Sequence, residues 1–335
     1  MGCSQCSSGG VDKRFVVGIT EPGYVDHSIE AEILKPAGAE VRILRCGNDR
    51  AKLLEMLGDI DVLIVRDTPL IDAEAISRLR EGSGIVRYGV GVDNIDLEAA
   101  KKRNIKVANV PDYGADIEVS DHAAALTLAL VRRIVMRDAQ VRKGNWNIAQ
   151  KEPIYRMSGS SLGLVGFGKI ARAYLERMRG FGISDVLVYD PYITDEFAAQ
   201  HKVARSSFEE ICCKARIISL HAPATPETRN IVNAKTLALM NEKTCIINTS
   251  RGGLVDIAAL AEALKAEKIF GAALDVLDKE PIAPDCPLIG LKNVILTDHT
   301  GWYSEASVRT LQEKAAQAAV EMLTTGTPTN WVNKW

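Results

Sequence analysis

Short β-branched runs alternate with longer amphipathic ones along almost the whole sequence, and this rhythm limits the fold more than any other feature. "RFVVGIT" (14–20), "EVRILRC" (40–46), "DVLIVR" (61–66) and "GIVRYGV" (84–90) read as strands. Between them, "SIEAEILKPAG" reads as a helix ended by Pro36 and Gly38, "DRAKLLEMLG" as one closed by Gly58, and "DAEAISRLREG" as one opened by Asp72. Alternation at this spacing makes βαβ units, and such units assemble a parallel sheet. A longer pattern over 116–143 is acidic at its start and basic at its end, as the helix macrodipole favours, and predicts one long helix that connects domains or covers a subunit interface. The rhythm then restarts at "SLGLVGFGKIARAYLERMRGFG" and continues through "DVLVYDPY", "ARIISLHAP", "TCIINTS", "IFGAALDVL" and "NVILTDHT". The expected fold is therefore α/β: two doubly wound, Rossmann-like domains with parallel sheets, joined by long helices.

A length of 335 residues agrees with two domains rather than one core. The net charge of -2, without a basic block, argues against nucleic acid or an anionic membrane as partner. The longest apolar run, "AAALTLALV" (123–131), is too short to span a bilayer and is closed by Arg132 and Arg133. No secretory signal is read at the start, and seven scattered cysteines fit reduced thiols better than a disulfide framework, so a cytoplasmic protein is expected. Cys3 and Cys6 form a C-x-x-C in the Ser/Gly-rich stretch "MGCSQCSSGG", which reads as a flexible leader over 1–12 rather than a metal or redox site. The initial Met-Gly suggests myristoylation, but Cys6 stands where that motif wants Ser or Thr.

Gly166-Phe167-Gly168-Lys169-Ile170-Ala171 lies between an apolar strand and a helix pattern. In such a G-x-G-x-x-A turn the first Gly makes the tight bend, the second lets the backbone approach a pyrophosphate, and the small third residue lets the helix pack on the strand. The next strand ends at Asp190, about twenty residues on, where a carboxylate would accept the ribose hydroxyls. With no Arg beside it, Asp190 favours NAD over NADP; its structural alternative is a turn cap before Pro191.

Three further segments end strands on the carboxyl side, where open α/β sheets keep their ligands: "INTSRGGLVD" with Arg251, "LDVLDKEP" with Asp275 and Glu280, and "LTDHTGW" with His299. Arg251, hemmed in by Gly252 and Gly253, has a guanidinium that can grip a carboxylate bidentately. Glu280 beside His299 would fix one imidazole tautomer and raise its pKa, giving a proton-exchanging group near neutrality. Taken singly, each also has a structural reading: a surface ion pair, a helix cap, a core histidine. No second His or Cys approaches His299 at ligand spacing, so no metal is expected.

The ordered strings "RYGVGVDNID" (87–96), "NVPDY" (109–113), "GLVGFGKIA" (163–171), "NTSRGGLVD" (248–256), "ALDVLDKEP" (273–281) and "LTDHTGWYSEAS" (296–307) resemble the D-isomer-specific 2-hydroxyacid dehydrogenase family from about residue 14 to 325. "HTGWYSEAS" and "NVPDY…EVSDHAAALTLAL" are similar to the branch holding the C-terminal-binding-protein corepressors and their bacterial relatives, near phosphoglycerate dehydrogenase-like enzymes. The resemblance implies a flavodoxin-like substrate domain from 13–110 plus 301–335, an NAD-binding Rossmann domain over 111–300, and a homodimer built through the cofactor domains. It implies that Arg251 binds the substrate carboxylate, that Glu280 pairs with the acid/base His299, and that the Val90-Gly91 backbone also meets that carboxylate. Asp275 is implied near the nicotinamide amide, while His221, Ala222, Pro223, Thr228, Thr249 and Gly301 line the cofactor cleft. Arg66 and Arg87 fall where relatives place further anion contacts, and Trp302 reads as a pocket wall, with Tyr303 a packing residue. One departure is Asp298, which stands where the family usually has Pro; pointed at His299, it would reinforce or compete with Glu280. Another is an extra residue near Ile117, which unsettles contacts from Glu118 to Ser120. No C-terminal regulatory extension is expected.

The reading that follows is hydride transfer between NAD and a D-2-hydroxy acid or 2-oxo acid. Its rivals are a 3-phosphoglycerate dehydrogenase, to which Arg66 and Arg87 are suited, and an NAD-sensing binding protein of the corepressor kind.

Overall fold

The computed structural model describes residues 15–21, 24–47, 49–146 and 152–335. The 1–12 leader, with Cys3 and Cys6, lies outside the described residues. The chain divides into two units, one running up to Gly114 and resuming over Ser304–Trp335, the other spanning Ala115–Tyr303.

In the first unit β1 (Phe15–Thr20), β2 (Ala39–Leu44), β3 (Val62–Val65), β4 (Gly84–Arg87) and β5 (Lys106–Asn109) alternate with α1 (Ser28–Leu34), α2 (Arg50–Glu55), α3 (Ala73–Arg78) and α4 (Leu97–Lys102). The five strands are parallel, in the doubly wound order β2-β1-β3-β4-β5. All four residues of β3 are buried, because a parallel sheet is covered by helices on both faces and its strands lose the apolar-polar alternation. Asp49, Asp72 and Asp96 each start a helix by accepting the backbone N–H three residues on, from Lys52, Ala75 and Ala99.

In the second unit β6 (Leu162–Val165), β7 (Val186–Tyr189), β8 (Ala204–Arg205), β9 (Ile217–Leu220), β10 (Cys245–Asn248), β11 (Gly271–Leu274) and β12 (Val294–Leu296) accompany α5 (Ala115–Val131), α6 (Ile134–Arg142), α7 (Lys169–Arg179), α8 (Asp195–Gln200), α9 (Phe208–Lys214), α10 (Ala234–Leu239) and α11 (Ile257–Lys265). The seven strands are parallel in the order β12-β11-β10-β9-β6-β7-β8. Winding reverses between β6 and β9, so the crevice of this unit opens at the carboxyl ends of those two strands. Helix α12 (Glu305–Thr324) carries the chain back into the first unit. It opens with a reciprocal Ser304–Ser307 capping box and buries Leu311, Ala315, Ala316 and Ala319. After it the tail joins β5: the Val332 N–H donates to the Val107 carbonyl, and Asn333 Oδ1 accepts from the Val107 N–H at 2.9 Å.

The single helix expected over 116–143 is two helices. The break falls at Arg133, which adopts a left-handed backbone (φ 55°). Its side chain explains why that conformation is held. The guanidinium lies 4.2 Å from the Phe270 ring centroid, Nε donates to the Pro153 carbonyl at 3.0 Å, and Nη1 pairs with Glu152 at 3.7 Å. Among the described residues no helix is long and apolar enough to cross a membrane, and no three His, Cys, Asp or Glu side chains gather as metal ligands.

Candidate active site

The cofactor turn follows from the switch point. Gly166 sits at φ 87°, and a Cβ there would lie 2.9 Å from the backbone of His221 and Ala222 at the end of β9. Only glycine allows both the turn and that approach. A Cβ on Gly168, by contrast, would meet nothing within 4 Å, so open space lies before the first N–H groups of α7. Asp190 closes the turn: Oδ2 accepts from the Phe167 N–H at 2.8 Å and Oδ1 from the Tyr192 N–H at 2.9 Å. Each carboxylate oxygen keeps a further lone pair with which to accept from a ribose hydroxyl. Nearby in sequence to the β10 end, the Thr249 hydroxyl is buried without a hydrogen-bond partner among the described residues. These features fit a dinucleotide, with Gly166 to Ile170 at the pyrophosphate, Asp190 at the ribose and Thr249 offering an unsatisfied polar atom. Thr228 closes the 223–228 turn instead, its hydroxyl donating to the Pro223 carbonyl at 2.7 Å.

His221 lies against the Tyr174 ring, 5.3 Å between centroids, with Nε2 2.9 Å from Ser219 Oγ. Desolvation lowers its pKa from 6.5 to about 3, so the ring is neutral in the folded protein at any moderate pH. The unfolded chain binds the additional proton between those two values, and stability falls as pH drops from 6.5 toward 3. The slope from this one group approaches about 1.4 kcal/mol per pH unit. Urea unfolding midpoints of His221→Gln, followed from pH 7.5 to pH ~4.5, should fall less steeply than those of the wild type; parallel curves would show that His221 is not the group that titrates.

The Arg251, Glu280 and His299 segments follow β10, β11 and β12. Asn248, the last residue of β10, is buried and organises the first of them: Oδ1 accepts from the Ser250 N–H at 3.0 Å and Nδ2 donates to the Arg251 carbonyl at 2.9 Å. Arg251 Nη1 donates to the Ser250 carbonyl at 2.7 Å. In the second, Glu280 Oε1 accepts from the Leu277 N–H at 2.9 Å, which leaves Oε2 to meet His299 Nδ1 at 2.7 Å. Both side chains are about one-third exposed, 37% and 33%, as groups that must meet a ligand need to be.

The third segment is held by Asp275, which is 3% exposed. Its Oδ1 accepts from the Thr297 hydroxyl at 2.6 Å and the Thr300 N–H at 3.0 Å, and its Oδ2 from the Gly301 N–H at 2.9 Å. Its own carbonyl accepts the His299 N–H at 2.8 Å. Burial would raise the carboxyl's pKa, but the bonds from His122, Thr297 and Gly301 outweigh it and hold it down at about 2. Asp275, expected beside the nicotinamide, thus spends its carboxylate largely on the turn that presents His299. Asp298 is exposed and accepts from the Thr300 hydroxyl at 3.2 Å, so the carboxylate recorded on His299 Nδ1 is that of Glu280. Trp302 is partly exposed, and Tyr303, expected to pack in the core, is 52% exposed with its ring edge-on to the Trp302 indole at 5.7 Å.

The remaining expected residues belong to the first unit, at the carboxyl ends of β3 and β4. Arg66 lies 5.6 Å from the Tyr24 ring centroid, and Arg87 Nη1 donates to the Tyr88 carbonyl. The Val90-Gly91 bend is fixed by the Asn109 amide, which donates to the Val90 carbonyl at 2.8 Å, and by the Val110 N–H, which donates to that of Gly89. His122 escaped the sequence reading altogether: its Nε2 lies 3.0 Å from Thr297 Oγ1 and 3.3 Å from Asp275 Oδ1.

Residues 124–301 match the model of the D-isomer specific 2-hydroxyacid dehydrogenase NAD-binding domain. The chain is 38% identical over 306 residues to D-3-phosphoglycerate dehydrogenase of Methanocaldococcus jannaschii, an alignment covering 91% of this chain and 56% of that protein. It therefore spans little more than half of that relative's length. Glyoxylate reductase of Thermococcus litoralis is 38% identical over 295 residues, covering 85% of this chain and 87% of that one. Among solved structures, D-lactate dehydrogenase of Aquifex aeolicus in complex with NAD and lactic acid superposes with a TM-score of 0.82 at 26% identity, covering 95% of this chain and 99% of that one.

Proposed function

The chain belongs to the D-isomer specific 2-hydroxyacid dehydrogenase family, and on that premise we propose that it interconverts a D-2-hydroxy acid and its 2-oxo acid with NAD. The observation that carries this reading is the 2.7 Å contact of His299 Nδ1 with a Glu280 carboxylate that is itself pinned by the Leu277 N–H. With Nδ1 engaged, Nε2 is the nitrogen that exchanges a proton with substrate. In oxidation it takes the proton of the C2 hydroxyl, and in reduction it returns one to the C2 oxygen. Glu280 steadies the imidazolium in between. Arg251 grips the substrate carboxylate and offsets charge developing on the C2 oxygen. Trp302 supplies a flat apolar wall. Bound NAD supplies the hydride acceptor and, when reduced, the hydride donor. Asp190 presents a negative charge to the 2′ position of the adenosine ribose, which favours NAD over its phosphorylated form.

Purified protein mixed with NADH and a panel of 2-oxo acids at neutral pH should lose absorbance at the NADH band. The best member of the panel, among glyoxylate-, hydroxypyruvate-, aromatic- and phospho-type acids, identifies the substrate class. No oxidation with any of them would reject the reading.

We further propose that the working form is a homodimer that covers α6. That helix has no buried residue and exposes Ile134, Val135 and Val141, with Trp146 just beyond it 75% exposed. Such an apolar strip is poorly tolerated on a monomer. Sedimentation should show a dimer that Val135→Asp/Val141→Asp converts to a folded monomer; a wild-type monomer at ~50 µM would overturn this, being far above the dissociation constants of stable dimers.

A further inference from the structure

A carboxylate that is ionised can only accept hydrogen bonds, and this settles the direction of every bond at Asp275. Thr297 has one hydroxyl proton, and it goes to Asp275 Oδ1 at 2.6 Å. The Thr297 oxygen must therefore accept at its other contact, so His122 Nε2, 3.0 Å away, is the donor. The same nitrogen is also within 3.3 Å of Asp275 Oδ1. The result is a chain of donors, His122 to Thr297 to Asp275, that fills the carboxylate from below while the Thr300 and Gly301 N–H groups fill it from the turn.

What the turn needs from this chain is visible in His299. Its φ is 58°, a left-handed conformation that is strained for a β-carbon-bearing residue and persists only where the surroundings over-determine it. Two residues on, a Cβ on Gly301 would lie 2.9 Å from Asp275 Oδ2 and 3.3 Å from His122 Cδ2, so the turn rests directly on the carboxylate and the His122 ring. His122 is on α5, 25% exposed at its side chain, and brings a rigid helix to the back of a loop 175 positions away in sequence. We propose that His122 is a positioning residue for His299, acting through Thr297 and Asp275, a role that rests on the acid/base reading of His299. It touches neither substrate nor the reacting atoms; it fixes the turn from which His299 reaches them.

Two measurements test this on the full chain. Amide hydrogen exchange in the protein without added nucleotide reports the turn, and steady-state reduction of the best 2-oxo acid reports its use. In His122→Leu, exchange at Thr300 and Gly301 should speed up about tenfold while core strands keep their protection. The kcat should fall about 10- to 100-fold, with KM for NADH unmoved. His122→Gln, whose amide nitrogen can donate to Thr297, should recover most of both. His122→Leu/Thr297→Val should be no worse than the more damaged single variant, because the two act in one chain. Unchanged exchange and kcat in His122→Leu, no recovery in His122→Gln, or additive losses in the double variant would each overturn the proposal. So would faster exchange spread over the whole second unit, which marks general destabilisation. If the wild type reduces no 2-oxo acid, the reading of His299 fails instead, and exchange alone decides the anchor: faster in His122→Leu supports it, unchanged overturns it.

Discussion

Replacing His299 by Ala is expected to lower turnover of 2-oxo acids by about three orders of magnitude while NADH binds nearly as before. General acid–base groups contribute roughly 10²- to 10⁴-fold, and His122 and His221 are engaged elsewhere. His122 donates into the protein, and His221 is held neutral by desolvation beside the glycine turn. Binding should survive because the proposed dinucleotide site, Gly166 to Ile170 and Asp190, follows β6 and β7, whereas His299 follows β12. Glu280→Gln should do less damage. A neutral amide can still accept from Nδ1, but it no longer carries the negative charge that favours the protonated ring, so the loss should be greatest toward the basic end of the pH profile for reduction. Single-turnover rates and NADH fluorescence titrations separate chemistry from binding. An Ala variant that retains wild-type turnover removes His299 from the mechanism.

Both sheets and the glycine turn were legible in the sequence because each is written in short-range patterns, whereas the Glu280–His299 pair is only one of several readings of the spacing and comes from the family resemblance. Apolar runs mark β3 and β9, and G-x-G-x-x-A marks the turn. What was not legible depends on contacts between distant segments. The break at Arg133 needs Phe270 and Pro153, neither visible from a helix pattern that runs smoothly through 132–134. The resemblance implies Asp275 near the nicotinamide, but the pattern gives no sign of its bonds from Thr297, Thr300 and Gly301, which hold the turn. His122 lies inside an apolar helix whose composition gives no hint that one ring nitrogen meets a loop far along the chain. Tyr303 reads in the sequence as a packing residue, but its place just before α12 leaves it half exposed.

Gly252→Ala should be the most damaging single-methyl change in the second unit. In the sequence Gly252 is simply one of two glycines after Arg251. In the structure a Cβ at this position would fall inside the backbone of Leu277 and Asp278. Peptide atoms cannot rotate aside as a side chain can, so one of the two loops must move. Both carry chemistry: the Leu277 N–H holds the Glu280 carboxylate, and Arg251 directly precedes Gly252. Displacing either by about 1 Å should cost turnover roughly 100-fold, and the overpacking should cost about 3 kcal/mol of stability. Gly253→Ala is the internal control, since its Cβ would meet only the Ala224 methyl at 3.9 Å, an ordinary contact. It should leave the thermal midpoint within about 2 °C of the wild type, the range of a surface substitution. Equal midpoints and equal turnover for the two variants would mean that the 252 and 277–278 backbones are not in contact in solution, and that the Arg251 and Glu280 loops are positioned independently.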